Sequence, residues 1–333
     1  VSIIVDPVIA ADVNAAPIPR PTNDWMVAQI EKDYQEAIPD LKTSATLPAA
    51  DYGRFTQDAA LMGLMKLYAH EKRWSDLLAT GQKLMTYGHS LQANYADVFA
   101  YSNKGNSQEI LLAISCLTDK SNNINRWLAM CMPGDYVDPG GVNISAQWNG
   151  YRMPWKTYDK FDITDKRLTR LLAKWPTGAN NTAIKDARTS GHIGAVPMKY
   201  GPDPGSGGSD QGTDIVIWRY ADVLLLMAEA ENELNGPTAA AYNYVLPVRT
   251  RAGLAQFPAG LSKDQFRAKL MDERLFELWC EGSRREDLIR WGTYVQRAID
   301  DGSPFAKPEY VLYPIPTKAI NESNGVIQQN PGY

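Results

Sequence analysis

Residues 273–291, with the sequence ERLFELWCEGSRREDLIRW, place acids and arginines at helical spacings and predict a long helix. Glu273, Glu277 and Glu281 are spaced i, i+4, i+8, so all three project from one face of that helix, and Arg285 continues the row. Arg274 lies three residues before Glu277, and Arg284 and Arg285 lie three and four residues after Glu281, so cations are within reach of the acids. We interpret the stretch as an ion-pair network that fixes helix packing. Its members are Glu273, Arg274, Glu277, Glu281, Arg284, Asp287 and Arg290.

A row of carboxylates also suggests catalysis, because glycoside hydrolysis needs two carboxyl groups at a set separation. Catalytic tuning pushes the pKa values of the two groups apart. Here, a cation close to every acid favours the ionised form of all of them. The register therefore favours a structural role for this stretch over a catalytic one.

Helical periodicity and capping signals predict two helical blocks, at about residues 23–100 and 216–300. In the first block, a helix capped by Thr56 and one beginning near Trp74 are joined by a short link, which is the αα-hairpin of tetratricopeptide (TPR) arrays. In the second block, Ser262 and Gln265 fit a capping box that begins the last long helix. Other helices are predicted at about Trp25–Leu41, Val216–Leu234 and Ala239–Arg251, the last kinked or shortened by Pro247.

Between these blocks, about residues 101–215 show no sustained period and are rich in glycine, proline, asparagine and aromatic residues. A long irregular region inside a compact domain is more often functional than connective. The predicted fold class is all-α, with TPR-like helical hairpins and a large irregular insert that bears the ligand face. We expect a single domain, residues 1–333, with a C-terminal tail at 301–333.

Composition excludes several classes of function. The net charge is −4 with both signs mixed, which argues against nucleic acid as the main partner because phosphate neutralisation needs a basic stripe. The longest apolar run, Val223–Ala228, is far shorter than the roughly 18 residues of a membrane span. The three cysteines lack metal-ligand spacing and the three histidines share no motif, so no zinc site or catalytic triad is predicted.

Five further segments carry short motifs in a fixed order along the chain. They are Gly53–Thr56 (GRFT), Arg219–Ala230 (RYADVLLLMAEA), Val248–Leu254 (VRTRAGL), Tyr313–Pro316 (YPIP) and Gln329–Tyr333 (QNPGY). Together with residues 273–291 they resemble the SusD/RagB family of surface glycan-capture lipoproteins of Bacteroidetes, over almost the whole chain. Two departures are Asp222, where the family usually has glutamate, and Leu246-Pro247, where an asparagine is usual.

The resemblance implies a protein without catalytic activity that binds oligo- or polysaccharide and delivers it to a SusC-like TonB-dependent transporter. It also implies a surface-exposed lipoprotein of the outer membrane. The family's N-terminal part, with its lipidated cysteine and first helices, has no counterpart in this sequence. None of Cys116, Cys131 and Cys280 matches the lipid anchor, since each lies deep in the chain.

A sugar site is expected within residues 122–160, because aromatic rings stack on the C–H faces of sugars while amide and guanidinium groups bond their hydroxyls. In SusD-like proteins the glycan site resembles an aromatic arc on the irregular face, which favours Trp127, Trp148 and Tyr151. The remaining candidates are Asn149, Arg152, Trp155 and Tyr136. The alternative is that such aromatics fill small satellite cores beneath the loops.

Other interpretations stay open at this point. A glycoside hydrolase would use carboxylates of the irregular region such as Asp135, Asp138 or Asp159, and a helical-repeat scaffold would bind peptide or protein instead of sugar. No cofactor is predicted. Calcium is the one metal considered, because carboxylates ligate it. Its candidate ligands would be Asp203, Asp210 and Asp214, although their spacing fits no EF-hand loop.

Overall fold

The computed structural model describes residues 4–5, 7–12, 14–105, 107–117, 123–144, 146–178, 183–206 and 208–333. The chain separates into two compact units. The larger unit spans residues 37–284, and the smaller unit combines residues 285–333 with the described part of residues 1–36. Among the described residues, no helix is both long enough and apolar enough to cross a membrane.

Helices dominate the structure, and short strands are confined to the region around the insert. The helices are α1 (Pro7–Ala11), α2 (Asn23–Ala37), α3 (Gln57–His70), α4 (Trp74–Met85), α5 (Trp127–Cys131), α6 (Trp155–Tyr158), α7 (Tyr220–Asn235), α8 (Ala239–Arg251), α9 (Lys263–Leu278), α10 (Ser283–Arg290), α11 (Tyr294–Asp300) and α12 (Thr317–Glu322). The strands are β1 (Ile110–Ile114), β2 (Met153–Pro154), β3 (Leu171–Leu172), β4 (Lys174–Thr177), β5 (Ala183–Asp186), β6 (Gly194–Pro197) and β7 (Ile215–Arg219).

Two helical hairpins, α3–α4 and α7–α8, form the scaffold of the larger unit, as the TPR-like pattern predicted. Thr56 caps α3 by accepting a hydrogen bond from the Ala59 amide at 3.3 Å, and Thr238 caps α8 in the same way. Helix α7 packs against α3, α4 and α9 and is buried almost throughout. Side-chain caps satisfy amides that lack partners inside a helix, so these helix starts were readable from sequence.

Helix α9 begins at the predicted capping box, in which Ser262 accepts from the Gln265 amide and Gln265 accepts from the Ser262 amide. The helix does not continue to Trp291, however, and the single helix predicted there is wrong. It ends at Leu278, and the chain turns through Cys280 and Gly282, which both have positive φ, before α10 begins. Glycine adopts this conformation without strain, so Gly282 marks a break that the charge register concealed.

The predicted helix start near Val216 is also wrong. Residues 215–219 form strand β7, which pairs antiparallel with β1 and places Ala113 opposite Val216. Isoleucine, valine and tryptophan favour strands, and a short apolar run does not distinguish strand from helix by periodicity alone. Helix α7 therefore begins at Tyr220, directly after the strand.

The insert has more order than its sequence predicted. Strand β6 lies between β2 and β3, with Met153 opposite Ala195 and Leu171 opposite Pro197. Strands β4 and β5 form a separate antiparallel hairpin. Two apolar clusters lie in this part of the larger unit, one around Phe99 and one around Trp175.

The smaller unit contains α1, α11, α12 and nearly all of α2 and α10. Helix α2 begins at Asn23 behind a cap from Thr22 and ends at Ala37, four residues before the predicted end. In the C-terminal segment of the smaller unit, hydrogen bonds join the motifs at residues 313–316 and 329–333. Gln329 donates to the Ile315 carbonyl at 2.9 Å and accepts from the Ile315 amide at 2.7 Å. Asn330 donates to the Tyr313 carbonyl at 2.7 Å.

Candidate ligand-binding site

The candidate site is built around the short helix α5. Asn125 accepts a hydrogen bond from the Trp127 amide at 2.9 Å and so satisfies one of the free amides at the start of the helix. At the other end, the segment 148–152 folds over the last carbonyls of the helix. The backbone amides of Trp148 and Gly150 donate to the carbonyls of Ala129 and Met130, at 2.7 and 2.8 Å. Backbone hydrogen bonds thus hold an otherwise irregular loop.

Close approach and unusual backbone geometry fix the loop's course. Asn149 has φ +55°, a left-handed conformation that asparagine tolerates better than most residues. A Cβ at Gly150 would lie 2.9 Å from the Met130 carbonyl oxygen, so only glycine lets the two backbones approach this closely. The predicted Trp-Asn-Gly stretch is therefore partly a structural motif.

Three of the predicted aromatic residues form what we call the aromatic shelf: Trp127, Trp148 and Tyr151. The rings of Trp127 and Tyr151 are stacked, with centroids 5.5 Å apart and an interplanar angle of 5°. Trp127 is half-buried, and its indole N–H donates to the Pro197 carbonyl at 2.7 Å. Trp148 and Tyr151 are 55% and 53% exposed. The loop thus presents two open aromatic side chains, one of them backed by a fixed indole.

Trp155 lies next to β2, and a guanidinium covers one face of its ring. Its indole N–H donates to the His192 carbonyl at 2.7 Å, and the Arg188 guanidinium lies over the ring at 4.0 Å from its centroid. Arg188 is in turn paired with Asp159. A sugar would have to displace this guanidinium before it stacked on that face of Trp155.

Tyr136 does not belong to this surface. It was predicted to contact sugar, but its ring is buried. It is 6% exposed and packs in the core cluster with Leu128 and Trp175. Its hydroxyl donates to Asp138 at 3.2 Å. The ring thus fills the core beneath the loops, as the alternative interpretation of such aromatics foresaw. Asn122, at the start of the predicted region, lies outside the described residues.

Asn149 and Arg152 contact the loop itself. Arg152 donates to the carbonyls of Cys131 and Tyr151, at 2.8 and 2.6 Å, and to the Asn149 side chain. Burial lowers the pKa of Arg152. Next to the shelf, Arg126 pairs with Asp210 at 2.7 Å and remains partly exposed, so it adds a charged pair that the sequence argument did not single out.

The carboxylates considered for hydrolysis are occupied by other partners. Asp135 accepts from Trp175 at 3.0 Å and from Lys185 at 2.7 Å. Burial acts to raise the pKa of Asp135, but these hydrogen bonds outweigh it and lower that pKa. Asp138 accepts from the Val142 amide at 3.2 Å as well as from Tyr136. The lowered pKa of Asp135 is the opposite of what a general acid needs.

The three aspartates considered for calcium serve separate contacts. Asp203 accepts from the amides of Gly205 and Gly212, Asp210 pairs with Arg126, and Asp214 accepts from the Cys116 amide. Within the described ranges, no group of three or more His, Cys, Asp or Glu side chains is arranged to hold a metal ion.

The predicted ion-pair network exists, but its partners come from distant parts of the sequence. Glu277 is fully buried and pairs with Arg167 and Arg219, at 2.9 and 2.5 Å, and with Arg251. Burial acts to raise the pKa of Glu277, but the three arginines outweigh it and hold that pKa well below its usual value. Glu281 pairs with Lys199 and Arg219, both at 2.6 Å.

The other predicted members pair differently from the sequence register. Glu273 binds Arg167 and Arg249, at 2.7 and 2.6 Å, and Arg274 binds Asp222 at 2.7 Å. Arg284 donates to the Met271 carbonyl at 3.5 Å. In the smaller unit, Asp287 and Arg290 form their own buried pair at 2.8 Å. The ion pairs of residues 273–281 thus join partners that are distant in sequence, whereas Asp287 and Arg290 keep the helical i, i+3 spacing.

Sequence reasoning missed the groups that orient the shelf. The Pro197 carbonyl on β6 and the carbonyls at the end of α5 are backbone atoms, which carry no residue-type signal. Arg188, which covers Trp155, follows β5 and has no local motif. Only the Asn149-Gly150 pair gave a usable hint, because both residue types are common where the backbone turns sharply.

The chain is similar to one family of known proteins. Residues 172–333 match the model of the SusD family. The "SusD-like protein P25" of Formosa agariphila is 26% identical over an alignment that covers 94% of this chain and 66% of that protein. This chain thus spans about two thirds of that relative's length.

Solved structures share the fold over nearly the whole chain. A laminarin binding SusD-like protein superimposes with a TM-score of 0.77 at 24% identity, covering 100% of this chain and 74% of that one. Surface glycan-binding protein A from Bacteroides thetaiotaomicron, in complex with laminarihexaose, gives a TM-score of 0.73 at 20% identity, covering 94% and 72%. The mostly helical, TPR-like fold is therefore shared with these proteins.

Proposed function

Since the chain belongs to the SusD family, we propose that it binds oligo- or polysaccharide at the cell surface, without catalysis, through the aromatic shelf. The observation that carries the proposal is the pair of half-exposed rings of Trp148 and Tyr151 on one backbone-anchored loop. Exposed aromatic surface is costly to hydrate and gains free energy when an apolar sugar face covers it, at roughly 25 cal/mol per Å².

Preorganisation supports the same site. The Tyr151 ring rests on Trp127, whose indole N–H is itself bonded to β6, so a sugar that stacks on Tyr151 meets a ring that is already oriented. A preformed surface binds more tightly because less side-chain motion is lost on association. The Arg126–Asp210 pair nearby supplies polar groups of the type that sugar hydroxyls need.

Laminarin is the first probe, because the solved relatives include a laminarin binding protein and a complex with laminarihexaose. The test is affinity electrophoresis through gels containing laminarin or a panel of other neutral and acidic polysaccharides. We expect retardation by at least one of them, weakened by about tenfold or more in Trp148→Ala and Tyr151→Ala. No release of reducing ends is expected from any glycan in the panel.

Two variants control for the general loss of an aromatic ring. Phe305→Ala removes an aromatic ring that is 75% exposed elsewhere on the chain and is expected to leave retardation unchanged. Trp155→Ala removes a ring that Arg188 already covers and is expected to have a smaller effect than Tyr151→Ala. Equal retardation of the wild type, Trp148→Ala and Tyr151→Ala would place the glycan elsewhere and contradict the proposal.

The proposal extends to the cellular partner. Membership in the family supports delivery of the bound glycan to a SusC-like TonB-dependent transporter. It also supports a location at the surface of the outer membrane, with attachment by an N-terminal lipid anchor. Co-purification of a tagged protein with the SusC-like transporter from cells that make both is the direct test. Cleavage of the protein by protease added to intact cells is expected if it faces outward, and full protection would contradict the surface location.

A further inference from the structure

Arg152 donates hydrogen bonds both to helix α5 and to the loop that carries Trp148 and Tyr151. Of the five N–H donors of a guanidinium, one goes to the Cys131 carbonyl at 2.8 Å, one to the Tyr151 carbonyl at 2.6 Å and one to the Asn149 side chain. The first acceptor belongs to α5 and the other two to the loop. One side chain thus ties the loop to the end of the helix on which Trp127 lies.

The N–H groups of Arg152 that do not bond the loop or α5 offer few donors to a ligand. The Nε atom of Arg152 is buried and has no hydrogen-bond partner in the described part of the chain. No carboxylate within the described ranges lies in ion-pair distance of the guanidinium, so its partners there are carbonyl and amide oxygens. Three bonds in one planar fork fix orientation as well as position.

We propose that Arg152 is a positioning residue for glycan binding: it holds Tyr151 stacked on Trp127 and does not itself contact the sugar. The sequence suggested the opposite role, since an arginine beside two aromatics is a common partner of sugar hydroxyls. Asn149 contributes to the same positioning. Its side chain accepts a hydrogen bond from Arg152, and its left-handed backbone turns the loop back across α5.

The guanidinium of Arg152 is expected to order Tyr151 in the protein without sugar. When the guanidinium is removed, the loop keeps its backbone hydrogen bonds to α5 but loses those to the Asn149 side chain and the Tyr151 carbonyl. The ring of Tyr151 then samples orientations away from Trp127, and a sugar must reorder it on binding. Ordering one side chain costs about 0.5–1.5 kcal/mol, which corresponds to weaker binding by about two- to tenfold.

The sugar-free arm of the test uses 19F NMR of protein labelled with 5-fluorotryptophan. The Trp127 resonance, assigned through Trp127→Phe, lies under the ring current of Tyr151, and Tyr151→Ala is expected to shift it. Arg152→Met is expected to shift the same resonance in the same direction. Asn149→Gly, which keeps the left-handed backbone but removes the acceptor, is expected to give a smaller shift of the same sign.

Arg188→Met is the matched control. It makes the same chemical change over a different tryptophan, so it is expected to shift the Trp155 resonance and leave that of Trp127 in place. An unmoved Trp127 resonance in a folded Arg152→Met protein would overturn the inference. This arm needs no ligand, so it decides whether Arg152 holds the Tyr151 ring on Trp127 even if no polysaccharide binds.

The binding arm rests on the proposed function and uses a double-mutant cycle with laminarihexaose, or with the glycan that the gels identify. If Arg152 acts only through Tyr151, Arg152→Met weakens binding in the wild type but adds nothing in a Tyr151→Ala background. A full further loss in that background would mean that Arg152 contacts the sugar, and would overturn the inference. Absence of any glycan binding would instead contradict the proposed function, while the NMR arm still stands.

Discussion

Nε2 of His89 lies 2.6 Å from Oδ1 of Asp58, and both side chains are buried. The other ring nitrogen, Nδ1, lies 2.8 Å from the Gln108 carbonyl oxygen. A carbonyl oxygen only accepts, and an ionised carboxylate only accepts. Both ring nitrogens must therefore donate, so this geometry requires the charged imidazolium form of His89.

The pKa shifts of the pair agree with this geometry. Burial acts to lower the pKa of His89, but the hydrogen bonds to Asp58 and Gln108 outweigh it and raise that pKa above 6.5. Burial likewise acts to raise the pKa of Asp58, but hydrogen bonds from His89 and Ser44 lower it below 3.8. The phenol of Tyr220 lies against the imidazole, with ring centroids 6.0 Å apart.

We expect the His89–Asp58 pair to make stability depend on pH. Because the His89 pKa is raised on folding, its contribution is complete below pH 6.5 and is lost as pH rises through the folded value. The Asp58 pKa is lowered, so its contribution is present above pH 3.8 and is lost as pH falls through the folded value. The free energy of unfolding, from urea titrations at pH 5–9, is compared with that of His89→Gln. The wild-type advantage is expected to be about 1–3 kcal/mol near pH 6 and to shrink above it, whereas a constant difference across this range would contradict the charged pair.

We expect Lys199 to make the free energy of unfolding increase with pH in a higher pH range, opposite to the effect of His89. Its ammonium is buried among the rings of Tyr95, Phe99 and Trp279 and beside Glu281. Burial lowers the pKa of Lys199 to about 8, against 10.5 when unfolded. The unfolded chain binds more protons between these values, so stability rises with pH there, by at most about 1.4 kcal/mol per pH unit. Lys199→Met is expected to remove this rise between pH 8 and 9.5 in the same urea titrations; an unchanged slope would show that Lys199 is not its source.

Glu277→Gln is expected to destabilise the larger unit strongly. The amide cannot neutralise the three arginines that share the carboxylate, and removing one partner of a buried ion pair costs about 3–5 kcal/mol. The measurement is the urea midpoint at constant m-value. The control is Glu322→Gln, which alters an exposed pair with Lys318 at 3.7 Å and is expected to cost well under about 1 kcal/mol. Equal effects of both changes would contradict a central role for the buried cluster.

Gly194→Ala is expected to disrupt the pairing of β2 with β6. A Cβ at this position would lie 2.0 Å from the Met153 carbonyl oxygen, and backbone cannot move aside as a flexible side chain can. Overpacking costs about 1–3 kcal/mol, occasionally more. Gly134→Ala is the control, because its Cβ would meet open space. Thermal unfolding of both variants is the measurement, and a Tm for Gly194→Ala within a degree of the wild type would contradict the close approach.

Parts of the candidate site were predictable from sequence because they depend on residue type. Trp127, Trp148 and Tyr151 stood out as aromatics in a segment without period. The structure stacks Tyr151 on Trp127 of helix α5 and places Trp148 on the same loop as Tyr151. Tyr136 carried the same signal yet lies in the core, because composition does not reveal which aromatics a loop covers. Whether the shelf binds sugar stays a prediction until the variants are measured.

By itself the sequence determined the helical hairpins and two of the helix caps, because these follow from chemistry between residues a few positions apart. The Thr56 cap and the Ser262–Gln265 capping box are local hydrogen bonds that were predicted from the sequence. Only the tertiary structure decided the ion pairs and the shelf. Glu277 finds Arg167 across 110 positions of sequence and Arg219 across 58. Buried charges pair with whichever opposite charge the packing brings within reach, and helical spacing does not specify that choice.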